Sequence, residues 1–283
     1  MANLENARGR STERAAHPSL KTKTYQMWVR LELWLPILLV FTGLVLWEIL
    51  ARADLVSPLF FPAPSNILRN LIKMLSNGKL IIHCSATLKR LTLGVILGGF
   101  PGLILGLAMG WSPRLRTAVD PIIAAIHPIP KLAIFPLIMI VFGIGEASRV
   151  IAIAISSFFP MLINSMAGVR QLSPVYFEVS QNYGASPWKT FTRIVLPGSL
   201  PLVLAGTRLS VNMAMVISIG VELIAAEEGL GEIIWFSWQT MRIVDLYASL
   251  VVIGILGVGI NFLLQHFSHR LVPWYSDQPE KRY

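Results

Sequence analysis

EVSQNYGASPWKTFTRIVLPGSLP, residues 178–201, lies between two strongly apolar segments and belongs to neither. It is amphipathic and is interrupted by Gly184, Pro187, Pro197 and Pro201. Just upstream, Val175, Val179 and Tyr183 recur at i, i+4, i+8 and make one helical stripe. Gly184 stands where a left-handed C-terminal turn favours a residue without Cβ. Ser186 suits the N-cap of a second helix, with Pro187 at its first position. Trp188, Phe191 and Val195 form that helix's apolar face, and Pro197 and Pro201 close the segment. The expectation over about 171–197 is therefore a short helix, a glycine turn and a second short helix. Such a segment is too apolar for an ordinary solvated loop and suits docking into a partner's groove. The plainer alternative is a helix resting on a membrane interface.

The surrounding chain is 54% hydrophobic and only 14% charged over 283 residues. Long apolar runs with charges at their flanks define an all-α, polytopic membrane protein. Six spans are expected, at about 33–51, 88–110, 118–142, 149–168, 199–225 and 245–267. Span one competes with a signal-peptide reading, because Ala51-Arg52-Ala53 mimics a cleavage site. Its polar lead and its apolar stretch are both too long, so a retained span is favoured. Residues 1–30 read as a cytoplasmic tail, 31–272 as the transmembrane domain and 273–283 as a C-terminal tail. Residues 64–77 read as an amphipathic helix in the outer interface, capped by Ser65 after Pro64, with Ile67, Leu68, Leu71, Ile72 and Leu75 on one face. WSPRLRT (111–117) and GIGEAS (143–148) read as short turns. Span two carries Gly94, Gly98, Gly99, Gly102, Gly106 and Gly110, small residues that let helix backbones approach closely in lipid.

The formal net charge is +9. No basic patch is interleaved with aromatics, so the excess does not indicate nucleic acid. More than half of the 24 Lys and Arg residues fall in 1–33, 111–118, 169–197 and 268–283. That bias places those segments, both termini and residues 178–201 in the cytoplasm. The lone Cys84 excludes an internal disulfide, and the scattered His83, His127, His266 and His269 offer no metal site. No zinc-protease helix motif or nucleophile elbow is present. Gly78-Lys79, the one Gly-Lys pair, has Leu80 after it and Lys73 where a P-loop needs its first glycine, so the chain has no nucleotide site of its own.

Glu178, Gly184, Ile194 and Leu196-Pro197 resemble, in identity and spacing, the EAA motif of permease subunits of ATP-binding-cassette importers. Val179-Ser180 stands where that family usually has two alanines. SPLFFPAPSNIL (57–68), GLAMGWSPRLRTAVDPII (106–123), HPIPKLAIFPLIMIVFGIGEASR (127–149) and FFPMLINSMAGVR (158–170) resemble the nitrate, sulfonate, taurine and bicarbonate branch. VELIAAEEGLGEII (221–234) and HRLVPW (269–274) are most similar to its taurine and sulfonate members. The resemblance implies a type I importer permease fold in a bacterial inner membrane. It implies a second permease copy, two cytoplasmic ATPase subunits that carry ATP and Mg, and an extracytoplasmic solute-binding protein. It implies coupling to the ATPase through Glu178, Val179, Ser180, Tyr183, Gly184, Ala185, Trp188, Ile194, Leu196 and Pro197.

Ionisable groups at membrane depth cost about 2.5–3.5 kcal/mol each, which makes them functional candidates. His127 and Lys131 share a face of span three beside Pro128 and Pro130, whose freed carbonyls need protein or water. A broken, cationic helix at mid-depth suits a pathway for a small anionic or zwitterionic solute; a structural pairing of Lys131 is the alternative. Arg208, Asn212 and Ser218 on span five and Asn164 on span four are further pathway candidates, with a carbonyl clamp as the plainer role of Arg208. Lys89 and Arg90, at the outer start of span two, are expected to pair with Glu222 and hold an outer gate. Glu227 and Glu228 belong to an outer loop that either meets a binding protein or is simply solvated. Two rivals remain: an ion-gradient transporter, which would need mid-depth acids and two related halves, and a membrane-integral enzyme, which would need a catalytic set.

Overall fold

Gly94, Gly98, Gly102, Gly106 and Gly110 recur at every fourth residue of α3 (Lys79–Trp111), and that row organises the molecule. It faces α6 (Glu146–Arg170) so closely that a Cβ at Gly102 would lie 2.5 Å from the Phe158 carbonyl oxygen, and one at Gly110 2.6 Å from Val169 Cβ. A Cβ at Gly99, off the row, would meet only side-chain ends at ordinary contact distance, Met161 Cε at 3.7 Å and Val95 Cγ1 at 3.9 Å. Gly102→Val is therefore expected to cost at least ~1–3 kcal/mol by overpacking, whereas Gly99→Ala should be near neutral. The folded yield of each variant in detergent, compared with the parent, checks the contrast.

The computed structural model describes residues 20–274, with side chains from Trp34 onward. The expected tails over 1–19 and 275–283 lie outside the described residues. Of the described residues, 20–65 and 66–274 form separate units.

In the first unit, α1 (Leu20–Arg52) begins before the expected span one, and its segment Trp34–Arg52 is apolar and long enough to cross a membrane. Ser65 is not the cap of the next helix. α2 (Pro64–Ser76) already includes it, and Glu48 accepts from the Ser65 amide at 3.0 Å and from its hydroxyl at 2.7 Å. A carboxylate meeting a helix N-terminus satisfies a free amide and the helix dipole together.

In the second unit, α2 continues as an amphipathic helix. Ile67 and Met74 are buried, while Leu68, Ile72 and Leu75 are exposed on another flank. Asn70 donates to Asp245 at 2.7 Å, in the first turn of α11 (Ile243–Leu271). α3 starts well before the expected residue 88. α4 (Pro113–Ile126) follows it after Ser112 alone, so the expected turn 111–117 is mostly helix. Ser112 Oγ accepts from the Leu115 amide at 3.3 Å with Pro113 beginning the helix, a cap signature within the sequence.

The expected span three is divided between α4 and α5 (Phe135–Phe142), with residues 127–134 as a non-helical break. Pro128 and Pro130 remove two amide donors there. Among the described residues, five helical segments are long and apolar enough to span: Trp34–Arg52, Lys79–Trp111, Glu146–Arg170, Pro187–Ala225 and Ile243–Leu271. The expected span three is not among them, because the proline break divides it into two helices each too short to qualify.

α6 is the central helix. Its Ile153 and Ala152 pack with Phe135 of α5, Leu91 of α3 and Val221 of α9 (Leu196–Ala225). Its Leu162 and Phe159 pack with Met109 and Ile123. The loop expected after span five contains α10 (Leu230–Gln239), a helix the sequence reading did not assign.

Candidate functional site

Residues 171–197 fold largely as their sequence requires. α7 (Pro174–Asn182) ends at Gly184, whose φ is +66°. Beyond its chain neighbours, no atom of the described residues lies within 4 Å of a Cβ placed there, so the requirement for glycine is the left-handed backbone itself, which disfavours other residues by about 1–2 kcal/mol. The Ala185 amide returns to the Ser180 carbonyl at 2.9 Å and the Gly184 amide to Gln181 at 2.9 Å, closing the helix end. Ser186 Oγ then accepts from the Lys189 amide at 3.4 Å and caps α8 (Pro187–Thr190).

Two features stiffen this hairpin. The hydroxyls of Ser180 and Thr190, both buried, hydrogen-bond across the turn. That gives the Ser180 departure from the alanine pattern a structural role, and Thr190 is a residue the sequence reading missed. Trp111 meets Phe177 and Phe191 edge-on, at 6.1 and 6.0 Å. Val195 is fully buried against Leu107, Val169 and Val203. Trp188 does not share that face: it stacks on Phe191 and stays 71% exposed. Val175, Val179 and Tyr183 are exposed as well, Tyr183 at 87%. The inner side is thus locked and the outer side carries an apolar surface with Glu178 exposed beside it.

Pro197 and Pro201 do not close the segment. The chain runs helically from Pro187 to Ala225. Residues 191–195 form a wide π-turn in which the Leu196 amide reaches the Phe191 carbonyl five residues back. The wider turn shifts the bonding register just where Pro197 has no amide to donate. Ile194 and Pro197 line a cavity of about 470 Å³ with Tyr176, Arg193 and Trp274. Leu196 is exposed and Ala185 half-buried.

A second polar site surrounds Glu222, which lies with Arg90 in the interior, 1% and 3% exposed. Arg90 Nη1 donates to Glu222 at 2.9 Å, while Nε and Nη2 donate to Glu146 at 2.8 and 2.6 Å. The second Glu222 oxygen accepts from Thr87 Oγ1 at 2.9 Å and from the Gly231 amide at 3.1 Å. Arg149 donates to Glu146 at 2.7 Å and to the Ala225 carbonyl. His83 Nδ1 lies 3.0 Å from both the amide nitrogen and the carbonyl oxygen of Gly229. A side chain at Gly229 would meet Glu222 Oε2 at 2.6 Å and Arg90 Nη1 at 2.8 Å, so this glycine lets the loop close over the ion pair. The expected pairing of Glu222 is realised by Arg90 and not by Lys89, which is exposed. Arg90 also lies about three turns inside α3 rather than at its start. Glu227 and Glu228 are exposed, and Glu228 contributes its backbone carbonyl to Arg90. Glu146, Arg149, Thr87 and His83 were not singled out by the sequence; Glu146 and Arg149 were visible only as charges flanking span four.

The pathway candidates fall in separate places. His127 and Lys131 come together in the break between α4 and α5. Lys131 Nζ donates to the His127 carbonyl and lies 4.8 Å from the centre of the Phe159 ring, and the His127 ring is 5.3 Å from it. Pro128 and Pro130 are exposed beside them. Asn164 donates to the Pro160 carbonyl at 2.8 Å, and Asn212 accepts from Asn261 at 3.0 Å. Ser218 is buried without a hydrogen-bond partner. Arg208 lines a cavity between α9 and α11, and its Nε is buried without a partner.

Residues 98–277 match the family of binding-protein-dependent transport system inner membrane components. The chain belongs to this family and is a permease subunit of an ATP-binding-cassette importer, with no enzymatic role of its own. It is 33% identical over 239 residues to the taurine transport system permease protein of Escherichia coli K12, covering 83% of this chain and 87% of that one. It is 27% identical to a putative aliphatic sulfonates transport permease protein of Bacillus subtilis 168, covering 82% and 84%. It is 31% identical to a formylaminopyrimidine transport permease protein of Halalkalibacterium halodurans, covering 83% and 93%. Among solved structures, the inward-facing MetNI methionine transporter matches with a TM-score of 0.55 at 18% identity, over 69% of this chain and 97% of that one. An amino acid ABC transporter matches with 0.57 at 19% identity, over 72% and 98%. These two support the type I importer permease fold. Such permeases work with ATPase subunits and solute-binding proteins.

Proposed function

We propose that this permease moves taurine or an aliphatic sulfonate inward by alternating access, and that residues 171–197 are its docking surface for an ATPase subunit. The observation that carries the docking role is the hairpin around Gly184: locked on its inner side, apolar and exposed on its outer side. Closure of two ATPase subunits, which bind ATP and Mg, draws together the hairpins of two permease copies and opens the spans outward. Hydrolysis returns them to face the cytoplasm. In this arrangement both termini are cytoplasmic and the Arg90–Glu222 network lies towards the outer side, near where a solute-binding protein docks. Glu227 and Glu228, exposed on the adjacent loop, are candidate contacts for it.

The taurine and sulfonate relatives favour a solute with a fixed negative charge, and we assign Lys131, beside His127 at a proline break, as a cation that meets one along the pathway. His127 lies beside it, while Asn164, Asn212 and Ser218 stand apart as further polar candidates on α6 and α9. The test is uptake into vesicles holding the permease with its ATPase and binding protein. ATP is expected to drive uptake of taurine or an alkanesulfonate in preference to nitrate or bicarbonate. Lys131→Gln should lower that uptake about tenfold while the binding protein's affinity is unchanged; an order of this size follows from losing one charge-assisted contact. Preferential uptake of nitrate or bicarbonate would reassign the solute, and full activity of Lys131→Gln would remove this residue from the pathway.

A further inference from the structure

We propose that the cavity between α9 and α11 beside Arg208 binds the phosphodiester headgroup of an anionic membrane lipid. The cavity is about 150 Å³ and is walled by Pro201, Leu204 and Val272, with Arg208, Ser268 and His269 as its polar lining. Among the described residues no carboxylate pairs with Arg208, and its Nε is buried with no hydrogen-bond partner. A buried cationic donor left unpaired is costly, and a planar guanidinium is the side chain best matched to a phosphate's paired oxygens. Ser268 directs its hydroxyl proton to the Leu264 carbonyl at 2.7 Å, so the donors available to an anion are the Arg208 guanidinium and the His269 ring at the rim. Among the described residues no carboxylate lines the site, and Arg270 is exposed next to it in the chain.

The surroundings identify a lipid as the source of the phosphate. α11 presents exposed Phe267 and Leu271 beside the cavity, and Leu263 and Phe262 further along, an apolar flank on which acyl chains can lie. Trp274, exposed just beyond the end of α11, is the residue type that settles at headgroup level. A basic pocket between spanning helices at that depth is suited to an anionic headgroup. This proposal does not depend on the solute, the ATPase or the orientation, because phosphodiesters lie at both faces of a bilayer.

Native mass spectrometry of the full chain in detergent tests it directly. The stripped protein is titrated with phosphatidylglycerol, with phosphatidylcholine and with inorganic phosphate. Phosphatidylglycerol is expected to be retained at one tight site per copy, more strongly than phosphatidylcholine, and to survive millimolar phosphate. Arg208→Gln should weaken that retention about tenfold or more. Arg208→Lys should fall between, because an ammonium keeps the charge without the fork, and His269→Asn should weaken it by a smaller factor. Equal retention of the two lipids by the parent chain would overturn the proposal, and so would unchanged phosphatidylglycerol binding in Arg208→Lys and Arg208→Gln. Displacement by inorganic phosphate would assign the site to a soluble anion instead. Because the readout uses the chain alone, its failure leaves the importer reading intact.

Discussion

Arg90→Ala is expected to be among the most destabilising single substitutions in the chain, at about 3–5 kcal/mol, because it leaves Glu222 charged and buried without its partner. Glu222 is 1% exposed and contacts Arg90 at 2.9 Å, so water cannot replace the guanidinium. The Glu146 carboxylate, by contrast, is exposed and solvates itself when Arg90 is lost. Glu222→Gln should cost less than Arg90→Ala. The amide keeps the shape, still accepts from Thr87 or Gly231, and leaves Arg90 paired with Glu146. Lys89→Ala should change stability by no more than about 0.5 kcal/mol, since it is exposed and outside the network. The order Arg90→Ala, then Glu222→Gln, then Lys89→Ala is read from thermal unfolding in detergent. Equal stability of all three would mean that the network does not hold the α3, α6 and α9 ends together.

Substitutions in the hairpin are expected to abolish coupling without unfolding the spans. Gly184→Pro forces φ from +66° to about −65°. It also removes the amide that bonds to the Gln181 carbonyl, so the angle between α7 and α8 is lost. Trp188→Ala and Tyr183→Ala remove exposed aromatic surface that makes little contact within the chain, so stability should hold. Buried aromatic anchors at an interface contribute about 2 kcal/mol or more each, so each should weaken ATPase binding by about 30-fold or more. Glu178→Arg reverses the one acidic charge on this surface and should weaken it as well. Unchanged ATPase binding in all of these variants would leave the hairpin as an interfacial helix with no docking role.

The parts of the fold that were legible in the sequence depend on local chemistry. Gly184, Ser186 and Pro187 each state a backbone requirement within a few residues, and the turn follows. The glycines spaced four apart in span two announced close helix packing, and only contact with α6 could show that Gly99 is not part of that row. The proline break in span three was visible, and so was the proximity of His127 to Lys131. Other features were misread because a local rule has exceptions that only tertiary context selects. Pro197 and Pro201 looked like stops, yet the helix continues through both, with the π-turn just before Pro197. Ser112-Pro113 looked like a basic turn and is a helix start. The Glu222 network was legible in part: depth paired Glu222 with Arg90, but Glu146 reaches Arg90 from 56 residues away, and no sequence spacing encodes that distance.

An ATPase subunit is expected to drive this chain through residues 171–197. The most direct measurement is gentle purification of the tagged chain from its own membrane, with the Gly184→Pro and Glu178→Arg variants alongside, followed by uptake in vesicles without an ion gradient. An ATPase subunit that accompanies the parent chain and is lost from the variants, with uptake that requires ATP, is the predicted result. A chain that purifies alone, with uptake indifferent to ATP, would contradict it.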